Sequence, residues 1–509
     1  MINSFRNLLR GGAFLCLSCL LLASLVAGCA GPAAPLDPKK SVLDPQLIFS
    51  AGLRLEPTKS PETAVSPDGK HLLSVRDNPL GTDFAVVSLE DPAAEPVKFH
   101  SVTREWLNNA TFAYSVVGWV SDSRFLFTIG GWQNQGPHKD ERGLAVFLGD
   151  LSTKAADEVG FLPLPLESPP INAEFSVYVP SRNSVAIIAT HAIWEFDLSG
   201  RQMRLVKEGM TGPDGVFSPV LSPSGASFVY AGSTGDLSGV FLLDLASGEE
   251  KCVLPNGTTV NFWPQWSPDG KYMAVMTSGS KGTSGYDLVY GEASPLAASQ
   301  SITVLDAAGA KVASVDLSDK MVACPFWSDD SGTLGFFGAT KATDVFPGLR
   351  LDSVWAAKVS ALPKLPSSAA PSSLVSEKIA DFPSGSGHTW YTEAAFVSDG
   401  SGVYFRTGSY EQDLVWFASK GKVPVQVLPG RQLAFIIRGK PMGVFEESIV
   451  ALTPSDGKVL VGLLTGGEFK AFGEMDESDI VDIAGIGSGV LVVRGANAMS
   501  VFKMYTEGK

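Results

Sequence analysis

Cysteine is scarce in this chain, with only five residues in 509. Cys16 and Cys19 lie in an apolar N-terminal segment and Cys29 lies at its end, so two remain for a folded domain. Cys252 falls in a pattern typical of an outer strand, whereas Cys324 falls in an inner-strand pattern two repeats further along. Because strands so placed lie far apart, we expect two mostly buried thiols that form no disulfide.

Histidine is equally scarce, and its five residues lack the close spacing of a zinc site. The segment 138–141 groups one histidine with two carboxylates, but its place in a charged loop favours a solvated turn over a metal site. The acidic run at 474–482 lacks the ligand pattern of a calcium loop and indicates a solvated edge. No metal or other cofactor is predicted. The histidines are His71, His100, His138, His191 and His388.

The chain also lacks the Gly-x-Ser-x-Gly motif of a nucleophile elbow, and strand patterns continue almost to Lys509. The nearest approximations, at 282–285 and 384–388, have the composition of flexible loops. These absences exclude an α/β-hydrolase domain. No catalytic residue is predicted, and we expect a protein that is not an enzyme.

Clusters of lysine and arginine are missing as well, and the net charge is −14. This acidity argues against nucleic-acid binding and against a polybasic membrane patch. A hydrophobic content of 45% is ample for a large core, so the bulk of the chain is not disordered. We expect a monomer.

One long apolar run is present, at the N terminus. The run covers residues 13–25 and is preceded by Arg6 and Arg10. It ends at Val26-Ala27-Gly28-Cys29. The segment resembles bacterial lipoprotein signal peptides, and this resemblance implies that cleavage leaves Cys29 as a lipidated N terminus on the extracytoplasmic face of a bacterial membrane. An ordinary signal peptide beside a chance cysteine is the alternative.

The domain organisation follows from this leader. Residues 1–28 are predicted to be the signal peptide, and residues 29–45 the lipidated cysteine with a tether rich in proline and alanine. Residues 46–509 are predicted to be a single folded domain. The tether would hold that domain clear of the lipid headgroups.

A repeated hairpin dominates the folded domain. Its clearest copy is 262–276, where Pro268, Asp269 and Gly270 form a tight turn between two apolar strands, and Gly270 is predicted to take positive φ. Weaker copies occur at 64–73, 118–127, 177–186, 221–230, 326–336 and 396–405, with Asn183 as the left-handed residue of the third. A period of about 40 to 70 residues with several short strands is typical of a propeller blade.

Strand patterns fill the rest of the domain, and helices are hard to find. The fold class predicted is therefore all-β, a β-propeller of four-stranded antiparallel blades. We expect about eight blades, with seven to nine possible, and closure by pairing of the N- and C-terminal strands. Residues 281–300, 340–351 and 362–375 are predicted to be long surface loops, which rank first as a ligand surface.

Six of the ten tryptophans fall into two groups. Trp119, Trp266 and Trp327 hold the same place before their turns and are predicted to pack between blades. A second group, in less regular segments beside amide side chains, fits either packing, which is favoured, or a face that binds sugar or peptide. That group is Trp106, Trp132 and Trp390.

The hairpins, and residues 266–271 (WSPDGK) above all, resemble the TolB-type, WD-repeat-like propeller repeat. The resemblance implies a propeller fold and leaves the ligand open. We expect a lipid-anchored platform in the bacterial cell envelope that binds a protein, peptide or glycan. The alternative is a propeller enzyme, a hydrolase or lyase, with catalytic groups lining the central funnel.

Overall fold

The computed structural model describes residues 44–47 and most of the chain between 65 and 503. Within that span it leaves out 79–80, 92–93, 104–112, 134–135, 165–175, 190–191, 212–218, 235, 258–259, 279–297, 300, 342–348, 360–371, 383–393, 398–401, 410–411, 429–436, 439–448, 456–457, 466–467, 477–479, 488–489 and 496–498. The predicted signal peptide and Cys29 lie outside the described residues. No helix in the described part of the chain is long and apolar enough to cross a bilayer.

The described residues are strands and their connections, apart from a single 3₁₀ turn at Pro180–Arg182. They form nine sheets, numbered here along the chain. Sheet 1 contains β2 (His71–Asn78), β3 (Gly81–Ser88) and β4 (Val97–Thr103). Sheet 2 contains β5 (Ala113–Ser121), β6 (Arg124–Trp132), β7 (Arg142–Asp150) and β8 (Ala155–Pro163). Sheet 3 contains β9 (Ser176–Val179), β10 (Ser184–Ala189), β11 (Ala192–Asp197) and β12 (Gln202–Lys207).

The middle sheets carry additional short strands. Sheet 4 contains β13 (Met210–Thr211), β14 (Val220–Leu221), β15 (Ser227–Thr234), β16 (Leu237–Asp244) and β17 (Glu250–Pro255). Sheet 5 contains β18 (Val260–Trp266), β19 (Tyr272–Ser278), β21 (Ser301–Asp306), β22 (Lys311–Asp316) and the parallel β26 (Ser372–Ser373). Sheet 6 contains β20 (Ala298–Ser299), β23 (Met321–Trp327), β24 (Thr333–Lys341), β25 (Leu349–Lys358) and β27 (Ser376–Asp381).

Three four-stranded sheets complete the set. Sheet 7 contains β28 (Ala394–Phe396), β29 (Gly402–Ser409), β30 (Gln412–Ser419) and β31 (Val425–Leu428). Sheet 8 contains β32 (Ile437–Arg438), β33 (Ile449–Ser455), β34 (Lys458–Thr465) and β35 (Glu468–Asp476). Sheet 9 contains β36 (Ile480–Gly487), β37 (Val490–Gly495), β38 (Met499–Lys503) and β1 (Asp44–Leu47). The predicted all-β class with four-stranded antiparallel sheets is confirmed.

The hairpin turns adopt the conformation that their sequence predicts. Gly270 has φ +70° and donates its N–H to the Ser267 carbonyl at 2.9 Å. The Ser267 hydroxyl accepts the Tyr272 N–H at 3.0 Å, and Asp269 Oδ1 accepts the Lys271 N–H at 3.0 Å. Asn183 is left-handed, as expected. In the copy at 326–336, however, Ser331 rather than Gly332 has positive φ.

Apolar clusters join each of sheets 1 to 6 to the next sheet along the chain. One unites Leu73, Phe84 and Phe99 of sheet 1 with Phe125 and Phe147 of sheet 2. Further clusters join sheets 2 and 3, 3 and 4, 4 and 5, 5 and 6, and 6 and 7. Consecutive sheets therefore pack face to face, which is how the blades of a β-propeller bury their apolar surfaces.

A β-bulge recurs in sheets 1 to 8, each time opposite the preceding strand of the sheet, in strands β4, β8, β12, β17, β22, β27, β31 and β35. The additional residue is apolar each time: Phe99, Val159, Val206, Val253, Val312, Ile379, Val427 and Phe472. Those from sheets 1 to 6 pack into the cluster shared with the next sheet. The bulge thus changes which strand residues face each neighbour.

The three predicted loops and Trp266 differ from the expectations. Parts of the three predicted loops are strands, because β20, β24, β25 and β26 enter them. Trp119 and Trp327 are buried, as predicted. Trp266 is only partly buried, and its indole N–H donates to the Val220 carbonyl of sheet 4 at 3.3 Å. The side chains of Trp106, Trp132 and Trp390 lie outside the description.

The thiols lie where the strand patterns place them. Cys252 is on β17, the outer strand of sheet 4, and Cys324 is on β23 of sheet 6, with no disulfide between them. Both side chains are partly rather than mostly buried. The N-terminal strand β1 pairs with β38, with Gln46 opposite Val501. The blade count and the closure of a ring stay predictions.

Candidate functional site

A cavity of about 470 Å³ lies between the outer strands of sheets 1 and 2. One wall is residues 98–101 of β4, and the other is residues 156–158 of β8 with Phe147 of β7. Gly136 and Pro137, from the β6–β7 connection, complete it. Its volume suits a side chain or a sugar unit rather than a folded domain.

Glu158 is the distinctive residue of this cavity. Its side chain is only 5% exposed. Ala156 and Phe161, which lie on either side of it along β8, contribute to the cluster shared with sheet 1, whereas Val159 contributes to the cluster shared with sheet 3. Glu158 is therefore a carboxylate on an otherwise apolar face between two sheets.

The carboxylate of Glu158 is poorly compensated. Oε2 is buried and has no hydrogen-bond partner among the described residues. Oε1 lies 3.6 Å from His138 Nε2, beyond the range of a normal hydrogen bond. Burial raises the pKa of Glu158; the nearby His138 lowers it, and Glu141 raises it further. A buried carboxylate in this condition favours a proton or an added cation.

Residues 139–141 are exposed, whereas His138 itself is partly buried. Its ring stacks on Phe161, with centroids 4.0 Å apart and an interplanar angle of 9°. Nδ1 lies 3.3 Å from Glu141 Oε2, while Nε2 faces Glu158. The imidazole therefore lies between two carboxylates, one exposed and one buried.

Gly136 makes room for the Glu158 carboxylate. Its φ of +85° is one that residues with a Cβ rarely adopt. A Cβ at this position would also lie 2.9 Å from Glu158 Oε2. Both the backbone conformation and the contact therefore require glycine here.

The β4 wall supplies a different set of groups. His100 packs on Phe147 with ring centroids 4.4 Å apart, and burial lowers the pKa of His100 to about 4, so this imidazole is neutral near pH 7. Ser101 donates its hydroxyl to Asp83 Oδ1 at 2.5 Å. Lys98 Nζ lies 3.9 Å from the same Asp83 oxygen. The nearby lysine is thus directed toward Asp83.

Glu195 shows how the same fold compensates a buried carboxylate fully. Arg182 donates to both of its oxygens at 2.6 and 3.0 Å, Arg204 donates at 2.6 Å, and Ser184 donates at 2.8 Å. Burial raises the pKa of Glu195, but these hydrogen bonds outweigh that effect and lower it to about 2. This cluster is structural, because Arg204 also donates to the Leu245 carbonyl and so ties sheet 3 to sheet 4.

The remaining histidines and acids assemble no comparable site. His71 stacks on Trp119, whereas His191 and His388 lie outside the described residues. Within the described residues, no group of three or more histidine, cysteine, aspartate or glutamate side chains could hold a metal ion. Trp263 is 41% exposed with φ +51°, at a bulge of β18. This exposed tryptophan was not singled out from the sequence.

The comparisons with known proteins assign no activity to this chain. No protein-family model and no curated protein matches the chain. Among solved structures, an oligogalacturonate lyase of Vibrio parahaemolyticus is 10% identical over 92% of this chain and 98% of that one, with a TM-score of 0.39. An uncharacterised protein of Listeria monocytogenes is 10% identical over 54% of this chain and 73% of that one, with a TM-score of 0.33.

TolB from Acinetobacter baumannii, whose repeat type the hairpins resemble, is also among the matches. It is 12% identical over 74% of this chain and 94% of that one, with a TM-score of 0.27. Because all three TM-scores are below 0.5, these similarities carry no argument for a function. The evidence for the site is therefore the geometry of the residues that form it.

Proposed function

We propose that this chain is a lipid-anchored envelope protein that binds a protein, peptide or glycan, and that the ligand inserts a small group into the cavity between sheets 1 and 2. One observation carries the proposal: the buried Glu158 carboxylate lines that cavity without a hydrogen-bond partner for Oε2 among the described residues. Buried polar groups in folded proteins are almost always satisfied, and binding sites are where exceptions are expected.

The platform itself would be a propeller. Face-to-face packing of consecutive sheets supports this arrangement, and pairing of β1 with β38 supports closure through the terminal strands. Nine described sheets correspond to the upper end of the predicted seven to nine blades. Anchoring rests on the lipobox sequence that ends at Cys29.

A pair of neighbouring alanines offers a matched test of the cavity. Ala156 lines it, whereas Ala155 precedes it on β8 and is exposed. Ala156→Phe should fill the cavity and reduce binding to a panel of synthetic peptides and oligosaccharides at least tenfold, while Ala155→Phe should bind as the parent does. Equal binding by both variants, or no binding by the parent chain, would count against the proposal.

An enzyme is the second candidate, because Glu158 combines a raised pKa with a neighbouring imidazole at a cavity wall. A carboxylic acid of this kind can act as a general acid in a hydrolase or lyase. The site would then be this cavity rather than the central funnel. Turnover of a bound panel member that disappears in Glu158→Gln, with binding retained, would favour the enzyme.

A further inference from the structure

We propose that the cavity between sheets 1 and 2 recognises a cationic nitrogen group, a primary ammonium or a guanidinium, and that Glu158 is its anion. This inference rests on the proposed binding function and narrows the chemistry of the ligand. It concerns the group that enters the cavity, whichever larger molecule carries it.

The carboxylate of Glu158 provides the first argument. A buried carboxylate without hydrogen bonds is costly; neutral donors reduce the cost, and a proton or a cation also neutralises the charge. Gly136 lies beside Oε2, since a Cβ built on this glycine would be 2.9 Å from that oxygen. Glu158 is one of the residues that line the cavity.

Neither His138 nor Lys98 completes the site. His138 Nε2 approaches Oε1 only to 3.6 Å and leaves Oε2 without a partner among the described residues. Lys98 is mostly exposed and lies 3.9 Å from Asp83 Oδ1. A ligand N–H donor at hydrogen-bond distance would therefore add a contact that neither side chain supplies.

The surrounding walls suit an alkyl ammonium or guanidinium. Phe99 and Phe147 supply apolar surface for the carbon chain, and an aromatic face also attracts a cation. Asp157 adds a second carboxylate to the lining. An anionic ligand would meet both carboxylates, and a neutral one could donate a hydrogen bond but would leave the charge of Glu158 unneutralised.

The charge that the ligand meets depends on pH. Glu158 must be ionised, and the titratable groups that face it or line the cavity are Lys98, His100, His138, Glu141 and Asp157. His138 Nε2 lies 3.6 Å from Oε1, the oxygen that is not left without a partner. We therefore expect binding to strengthen as pH rises through the range in which Glu158 loses its proton.

The test uses the full chain in detergent. The probes are small molecules with similar alkyl chains that differ in the charge of the end group. Ligand-observed NMR should detect n-butylammonium and n-butylguanidinium, with 1-pentanol and pentanoate binding at least tenfold more weakly. Glu158→Gln should reduce ammonium binding at least tenfold, and Asp157→Asn should reduce it less. Thermal unfolding of each variant checks that the fold is retained.

Two results would overturn the inference: equal ammonium binding by the parent chain and folded Glu158→Gln, or equal binding of 1-pentanol and n-butylammonium. The alanine pair separates this failure from failure of the proposed function. If neutral oligosaccharides bind the parent and are lost in Ala156→Phe while the ammonium probe does not bind, the cavity is a ligand site but not a cation site. If no ligand distinguishes Ala156→Phe from Ala155→Phe, both proposals are wrong.

Discussion

At the scale of single residues, Glu158 and Glu195 show that the same side chain in the same strand-rich setting can be left poorly compensated or fully compensated. Two arginines and a serine donate hydrogen bonds to Glu195. By contrast, the His138 imidazole approaches Glu158 only to 3.6 Å. The difference lies in neighbours supplied by other strands and loops. A sequence pattern cannot reveal it, because Arg204 and His138 lie on different elements from the glutamates that they face.

These two glutamates should respond to pH in opposite directions. The pKa of Glu158 is raised, so above the ordinary glutamate value of 4.5 the folded state retains a proton that the unfolded state releases, and stability falls as pH rises through that window. Replacing Glu158 by Gln removes this loss. Denaturant unfolding should show Glu158→Gln gaining stability relative to the parent between pH 4 and pH 8.

The matched control is Glu195→Gln. Here the folded pKa of about 2 lies below the ordinary value of 4.5, so the stabilisation is present above 4.5 and is lost as pH falls toward 2. The variant should lose roughly 1 to 3 kcal/mol at neutral pH, because it leaves the hydrogen bonds of two partly exposed arginines incomplete. A common pH trend for the two variants would contradict the assignment of their environments.

Gly270 permits a test of backbone strain alone. Its φ is +70°, yet a Cβ would meet only ordinary contacts, the nearest being Pro223 Cδ at 3.5 Å. Gly270→Val should therefore cost about 1 to 3 kcal/mol in denaturant unfolding. Lys271→Ala, at an exposed side chain, should have little effect. Equal effects of the two substitutions would mean that the turn is not under this constraint.

At the scale of elements, the sequence predicts the hairpins well and the outer strands poorly. The turns of the copies at 64–73 and 262–276 contain Pro-Asp-Gly, and both glycines have positive φ. The outer-strand bulge has no comparable turn signature. On β8 it places Ala156 and Phe161 on one face although they are five residues apart, so strict alternation assigns the faces wrongly.

That bulge explains why the cavity could not be read from the pattern. Before Val159, Glu158 faces sheet 1; after it, Leu162 faces sheet 3, although strict alternation places both residues on the same face. The charged segment 138–141 is visible in the sequence, but its contacts with β8 depend on how the β6–β7 connection folds. Long-range contacts of this kind follow from the packed sheets rather than from local sequence.

Deleting Val159 tests the role of the bulge. Removal of the additional residue should restore regular pairing of β8 and move its later residues to the wrong faces, so the chain should unfold at much lower denaturant concentration. Val159→Ala keeps the register and should cost only about 1 to 3 kcal/mol. A deletion no more harmful than the substitution would show that the bulge does not determine the faces.

At the scale of the whole molecule, β1 pairs with β38, so the strand at Asp44–Leu47 belongs to the last sheet. In our proposal the leader directs export and is separate from the folded domain. Anchoring and folding should therefore be separable. The cavity lies between the first two sheets, within the domain that the anchor holds outside the cytoplasm in our proposal.

Cys29→Ser tests this separation. Without the thiol no lipid can be attached, so the protein should move from the membrane pellet to the soluble or secreted fraction. Its thermal unfolding should match that of the anchored chain in detergent. Retention of the variant in the membrane pellet would refute the lipoprotein assignment.

The most direct measurement of the central claim is the titration of Glu158 itself. Carbon-13 NMR of glutamate-labelled full-length chain, with the Glu158 carboxyl signal assigned by its loss in Glu158→Gln, reports the protonation of that group. The account expects a pKa above the ordinary 4.5 in the free protein and a lower pKa when n-butylammonium is added. An ordinary pKa that does not respond to the amine would contradict a cavity built around an uncompensated carboxylate.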